Sequence, residues 1–218
     1  MLAMAVAAGF VAIAPGPVAN AIPGVCPPFC DAIPDSAWIA PTDVPLYPEY
    51  RWPGLAGLAV TARPPQFAFE EVCASPPLVG DARDYAVAAR ASVTNVDGQW
   101  QLRAQVLHWR GGVGEGGPTA SATVEMARIR LRNCQVAAPL ASPSLTTDAA
   151  DRVAAVISVA GQRVMHQYLL AHPTSGSVVE LALWSTLPPQ VAWPAVLDAQ
   201  VLDAMAAPLC NAYLGSCR

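Results

Sequence analysis

Proline is spread unevenly along this chain of 218 residues, and that unevenness limits the possible folds more than any other feature. Ten of the 22 prolines lie between residues 22 and 72. Proline has a fixed φ and no N–H to donate, so this stretch can supply neither a helix interior nor a central strand. The same stretch carries Phe29, Trp38, Tyr47, Tyr50, Trp52, Phe67 and Phe69. Aromatic rings are costly to leave in water, and solvated linkers are poor in them. We therefore expect an extended arm lying on a core.

Beyond Asp84 the pattern changes. Tyr85, Val87, Ala89, Ala91 and Val93 alternate with Arg90, Ser92 and Thr94 up to the turn sequence Asn95 to Gly98, and Trp100, Leu102, Ala104 and Val106 alternate with Gln101, Arg103 and Gln105 in the segment that follows. This period of two predicts an antiparallel hairpin. The glycine-rich run from Gly111 to Gly117 reads as a flexible connection. After it, Ala120, Val124, Ala127, Leu131 and Cys134 fall on one helical stripe opened by Pro118, with Arg128, Arg130 and Arg132 placed to complement the helix dipole. Residues 152 to 160, 163 to 171 and 177 to 185 predict a three-strand meander. A last helix is expected from Pro194 to about Ala207, stopped by Pro208. The resulting expectation is an α+β fold: a twisted antiparallel sheet of about five strands with two helices packed on one face, preceded by the proline-rich arm.

Every residue from Leu2 to Ala14 is apolar or glycine, and Ala19-Asn20-Ala21 follows a Pro15-Gly16-Pro17 break. This layout predicts a signal segment over residues 1 to 21 with cleavage after Ala21. Thirteen helical residues span about 20 Å, short of the ~30 Å hydrocarbon core, although an uncleaved segment would leave an N-terminal membrane anchor. The arm then covers residues 22 to 72 and the α+β domain residues 73 to 218.

Export makes the cysteines readable as disulfides. They are Cys26, Cys30, Cys73, Cys134, Cys210 and Cys217. Fifteen pairings exist, and the spacing suggests two short loops and one long one: 26 with 30, 73 with 134, and 210 with 217. On a chain-entropy basis the long loop is worth about 4 kcal/mol and each short one about 2. A redox role for Cys26 and Cys30 is disfavoured, because their three-residue spacing and Pro34 leave little helix to activate a thiolate.

Several functions are excluded or weakened. All twelve basic residues are arginine and the net charge is −4, so no basic tract suits nucleic acid. Gly112, Gly114 and Gly117 match a dinucleotide fingerprint in letters, but Glu115 would repel a pyrophosphate and no acidic residue follows at ribose distance. G-x-S-x-G, S-x-x-K and H-E-x-x-H are missing. His108, His166 and His172 have no cysteine or acidic neighbour at metal-ligand spacing in sequence, so no metal site and no cofactor is expected.

In layout, Cys73 to Cys210 resembles the PknH-like extracellular sensor domain family, found on mycobacterial receptor Ser/Thr kinases and in secreted relatives. The resemblance rests on a cysteine before the first strand (Cys73), the strand WQLRAQVLHW, a helix ending LRNC at Cys134, the successive segments AAVISVAG, VMHQYLLAH and VVELALWS, and a closing helix. It implies a Cys73–Cys134 disulfide, a twisted antiparallel sheet with two helices, and a cleft for an extracellular ligand. It carries over no catalytic residues. Unlike relatives with a second cysteine pair in the C-terminal strands, residues 163 to 186 here contain none.

These observations together predict a secreted, cell-envelope-associated, non-enzymatic protein whose sensor-like domain binds a small molecule, lipid or wall component. Arg103, Gln105, His166, Tyr168 and Glu180 are the candidate polar contacts, with Trp109 and Trp184 as apolar wall. The alternatives are an accessory protein that docks an envelope partner through the arm, and an exported thiol-disulfide oxidoreductase using Cys26 and Cys30.

Overall fold

The computed structural model describes residues 32–110, 112–213 and 215–217. The expected signal segment and the Cys26–Cys30 pair lie outside these residues. Among the described residues seven strands form one antiparallel sheet: β1 (Val60–Thr61), β2 (Val87–Val93), β3 (Gln101–His108), β4 (Ala141–Asp148), β5 (Arg152–Val159), β6 (Arg163–His172) and β7 (Ser177–Thr186). Their order is β1-β2-β3-β7-β6-β5-β4. The β2–β3 hairpin and the β5–β6–β7 meander form as the alternation predicts. Two edge strands add to the expected five. β4, ASPSLTTD, escapes sequence reading because Leu145 is the one large aliphatic side chain among its inward residues Ala141, Pro143, Leu145 and Thr147, and Pro143 is tolerated there because β4 pairs only with β5 among the described strands.

The helices are α1 (Tyr47–Tyr50), α2 (Ala68–Val72), α3 (Gly112–Arg132), α4 (Cys134–Ala137) and α5 (Asp198–Ala212). They do not share one face, which corrects the expected layering. On one side, Val201, Leu202, Met205 and Leu209 of α5 pack with Trp38, Ile39, Val44, Leu46, Trp52 and Leu55 of the arm against Leu102, Val106, Tyr168 and Leu181. On the other side, Ala120, Val124, Ala127 and Leu131 of α3 pack with Phe67 and Phe69 against Leu107, Ile157, Leu169 and Val178. β7, central in the sheet, is consequently buried on both faces, and its sequence reads as a nearly continuous apolar run. The arm thus shares a core with the sheet instead of resting on a finished domain.

Two glycine and proline readings are also corrected. Gly112 to Gly117 opens α3 instead of forming a loop, with Pro118 inside the helix. The glycines serve close packing here: a Cβ on Gly117 would lie 2.6 Å from the Pro173 carbonyl oxygen, and one on Gly116 would lie 2.9 Å from that of Trp109. Pro208 sits inside α5 and does not end it; α5 begins at Asp198, four residues beyond Pro194, and continues to Ala212. Helix packing on the apolar face outweighs the hydrogen bond that proline forfeits.

Among the described residues two disulfides are formed, Cys73–Cys134 and Cys210–Cys217, as the spacing suggests. The first is fully buried and ties the end of α2 to the start of α4. Disulfides of this kind fit an oxidising, extracytoplasmic compartment. Among the described residues no helix is long and apolar enough to cross a membrane.

Candidate functional site

The face of the sheet under α2 carries polar residues where an apolar core would be expected. In register, Arg90 of β2 lies opposite Gln105 of β3, and Gln105 opposite Glu180 of β7. This puts a polar row across three neighbouring strands. Arg103 and Gln167 occupy the adjoining row on the same face. Gln105, Gln167 and Glu180 have no exposed surface.

The main chain of α2 and its flanks covers this row and is bonded to it. The Ala68 amide donates to Glu180 Oε1 at 2.6 Å, and the Phe69 amide donates to Gln167 Oε1 at 3.2 Å. Gln167 Nε2 also donates to Glu180 Oε1 at 3.1 Å. Arg90 donates to Gln105 Oε1 and, at 3.0 Å, to the Gln66 carbonyl. Arg103 pairs with Glu71 at 2.7 Å. Glu180 Oε2, Gln105 Nε2 and Arg103 Nε have no hydrogen-bond partner among the described residues. Burial pushes the Glu180 carboxyl up to about 7, against the stabilising bonds from Ala68 and Gln167 and the field of Arg103 and Arg90. A carboxylic acid that titrates near neutrality within a sheet is the kind of group that marks functional sites.

A second network anchors the cover. The guanidinium of Arg83 forms two bonds to the buried Glu70 carboxylate, at 2.8 and 2.9 Å, and also holds Asp81. Arg130 of α3 bonds Glu70 from above. Burial works against the charge on Arg83, but Asp81 and Glu70 override it and raise its pKa; Asp81 is held below the usual carboxylate range by Arg83 despite its own burial. Two cations meet two anions here, so this network is closed and structural.

A groove of about 690 Å³ runs beside the cover, along the outer edge of β2 where the two-residue β1 leaves it open. Ala62, Pro64 and Pro65, which lead into α2, form one wall; Val60, Tyr85 and Val87 supply apolar surface, and Arg63 and Asp84 supply charge. Its size falls within the range of small-molecule sites.

The candidate residues named from sequence divide between the two faces. Arg103, Gln105 and Glu180 come together in the polar rows, with the Arg103 guanidinium 5.7 Å from the ring centre of Trp184. His166 and Tyr168 lie on the opposite face. His166 stacks on Trp193 at 3.6 Å, and burial pulls its pKa down to about 4. Tyr168 is buried, and burial together with Asp198 pushes its phenol up. Trp109 donates its indole N–H to the Ala82 carbonyl at 2.9 Å. None of these residues lines the groove.

Sequence reading missed Arg90, Gln167 and Glu70. Alternation alone could have suggested Gln167, since it shares the parity of Met165 and Leu169. Glu70 gave no signal, because its partners Arg83 and Arg130 are distant in sequence. His172 is set aside in sequence for want of a cysteine at metal-ligand spacing, but its Nε2 lies 3.6 Å from Cys217 Sγ, a proximity that sequence spacing does not reveal. No known family model matches this sequence, and no curated protein matches it at a significant level.

Proposed function

We propose that this chain is a secreted, cell-envelope-associated, non-enzymatic binding protein of the PknH-like sensor type. Its ligand is a small molecule, lipid or wall component seated in the groove along the β1–β2 edge. One observation carries the reading: the segment from Ala62 to Val72 forms a wall of the groove at one end and, at the other, hydrogen-bonds the buried Glu180 and Gln167. A ligand that pressed on this wall would act on the same main chain that covers the polar rows, which is how a binding event could be passed into the sheet. The mixed apolar and charged lining and the layout of residues 73 to 210 support the same reading.

Native mass spectrometry of protein purified from its own envelope tests it, together with thermal shift across envelope lipids and glycans. A bound mass and a stabilising ligand are expected, with both lost in Tyr85→Ala and Val60→Asp, which alter exposed groove residues. Protein that carries no ligand and shows no shift with any of these compounds would overturn the proposal.

A further inference from the structure

Away from the groove, the end of β6, the end of α5 and the C-terminal tail bring three potential metal ligands together. A ring nitrogen of His172, Cys210 Sγ and Cys217 Sγ all lie within 4.8 Å of one another. The two cysteines are joined as a disulfide and cannot ligate in that state. We infer that reduction of the Cys210–Cys217 bridge creates a site for a thiophilic divalent cation such as Zn²⁺, held by both thiolates and His172.

The imidazole is already oriented for this. The Ser175 hydroxyl donates to the His172 carbonyl at 3.2 Å, so its oxygen is left to accept from His172 Nδ1, 2.8 Å away. That assignment puts the ring proton on Nδ1 and leaves the Nε2 lone pair facing Cys217 Sγ at 3.6 Å. A hydrogen bond from the far nitrogen is the usual way a metal-binding histidine is fixed in tautomer and direction. With Zn–S near 2.3 Å and Zn–N near 2.0 to 2.1 Å, the N···S edge of a tetrahedral site is about 3.6 Å, matching the observed separation. The sulfurs need only part to about 3.8 Å, the S···S edge of the same tetrahedron. Cys217 is exposed, so once the bridge is reduced its side chain has room to turn away from Cys210.

The chemistry balances with an external dithiol as reductant. Its thiolate attacks the exposed Cys217 sulfur, Cys210 leaves as thiolate, and the second thiol of the reductant resolves the mixed disulfide, giving two protein thiols and an oxidised dithiol. Metal binding then displaces two protons from the thiols. The bridge thereby becomes a redox gate: oxidised, it staples the tail to α5, and reduced, it holds a metal.

The test uses the full chain carrying Cys26→Ser and Cys30→Ser, so that those thiols do not contribute. Mild reduction is followed by alkylation and mass spectrometry to show thiols at Cys210 and Cys217 with the buried Cys73–Cys134 bridge intact. Titration with Co²⁺ should then give thiolate-to-metal absorption in the near ultraviolet at one metal per chain, displaced by Zn²⁺ and lacking in the oxidised protein. His172→Ala should weaken binding at least about tenfold, and Cys210→Ser with Cys217→Ser should abolish it. X-ray absorption of Zn²⁺ on the reduced protein with His172 retained provides a readout independent of how that variant folds, and should show two sulfurs and an imidazole. No thiolate absorption in the reduced protein, equal affinity in folded His172→Ala, or a zinc shell lacking either sulfur or imidazole would each overturn the inference.

Discussion

Glu180 and Gln105 face each other across β7 and β3, both without exposed surface, and neither Glu180 Oε2 nor Gln105 Nε2 has a hydrogen-bond partner among the described residues. The pair therefore holds unused hydrogen-bonding capacity at the centre of the sheet, in a place where each unmade bond costs about 1 to 3 kcal/mol. This polar pair is tied to the cover through the Ala68 amide.

Glu180 should make stability fall as pH rises. Its pKa is raised from the ordinary glutamate value of 4.5 to about 7 by burial. The native state then binds more protons than the unfolded state between these values, so its stabilising contribution is complete below pH 4.5 and is lost as pH climbs through 7. Glu180→Gln should remove this slope, with a gain on the order of 3 kcal/mol over the unsubstituted protein at pH 8 that vanishes below pH 4.5. His108 and His166, held neutral with pKa values near 4, act the other way, losing stability as pH falls from 6.5 towards 4. Urea unfolding of the variant and the unsubstituted protein from pH 4 to 8 separates the terms, because only the difference between them reports Glu180.

Removing Glu70 should be severe. Its carboxylate accepts from the Phe67 amide and from Arg83 and Arg130, and Arg83 is itself buried. Glu70→Ala leaves a buried guanidinium with Asp81 as its remaining anion, and should cost about 3 to 5 kcal/mol. Chemical denaturation gives the value, and hydrogen exchange should show the amides of residues 67 to 72 exchanging faster.

The glycines of α3 should respond oppositely to alanine. At Gly114 a Cβ meets nothing within 4 Å, so Gly114→Ala should stabilise by about 0.5 to 1 kcal/mol through helix propensity alone. At Gly117 the Cβ would strike the Pro173 carbonyl, a main-chain group held in a turn, and Gly117→Ala should destabilise by about 1 to 3 kcal/mol. Thermal melts of the two variants decide it by sign.

The arm should prove inseparable from the domain. Trp52 is 3% exposed, stacks on Tyr50 at 4.7 Å and donates to the Pro45 carbonyl. Trp52→Ala should cost about 3 to 5 kcal/mol. Deletion of residues 22 to 72 should abolish cooperative unfolding, because it strips one face of the sheet together with the anchor of Glu180. A deletion that still melts cooperatively would restore the picture of a detachable docking arm.

Local regularity was legible where it stood in one strand or one helix stripe. The hairpin from Val87 to His108 and the meander from Arg152 to Thr186 follow directly from a period of two, and the α3 stripe from Ala120 to Leu131 follows from a period near 3.6. β4 was hidden because an edge strand with one partner needs little apolar surface. The glycine run was misread because glycine signals freedom in sequence, whereas Gly116 and Gly117 are there for the lack of a side chain. In the candidate site, Arg103, Gln105 and Glu180 were readable as polar positions on strands, Arg103 and Gln105 on the face opposite Leu102, Ala104 and Val106, but the covering of that face by α2 was not, and His166 and Tyr168 turned out to belong to the other face.

By itself the sequence determined where strands and helices could form, which stretch had to run as an irregular arm, and a cysteine spacing that two formed disulfides match. These properties depend on neighbours along the chain: backbone restriction by proline, alternation of side chains, and loop length. Only the tertiary structure decided that α3 and α5 cover opposite faces, that β3 pairs with β7, that Glu180 lies opposite Gln105 beneath Ala68, and that His172 meets Cys217. Alternation says that a residue points inward without saying what it meets there. That partner is set by strand order and by the crossover through α3, both of which depend on contacts between residues far apart in sequence.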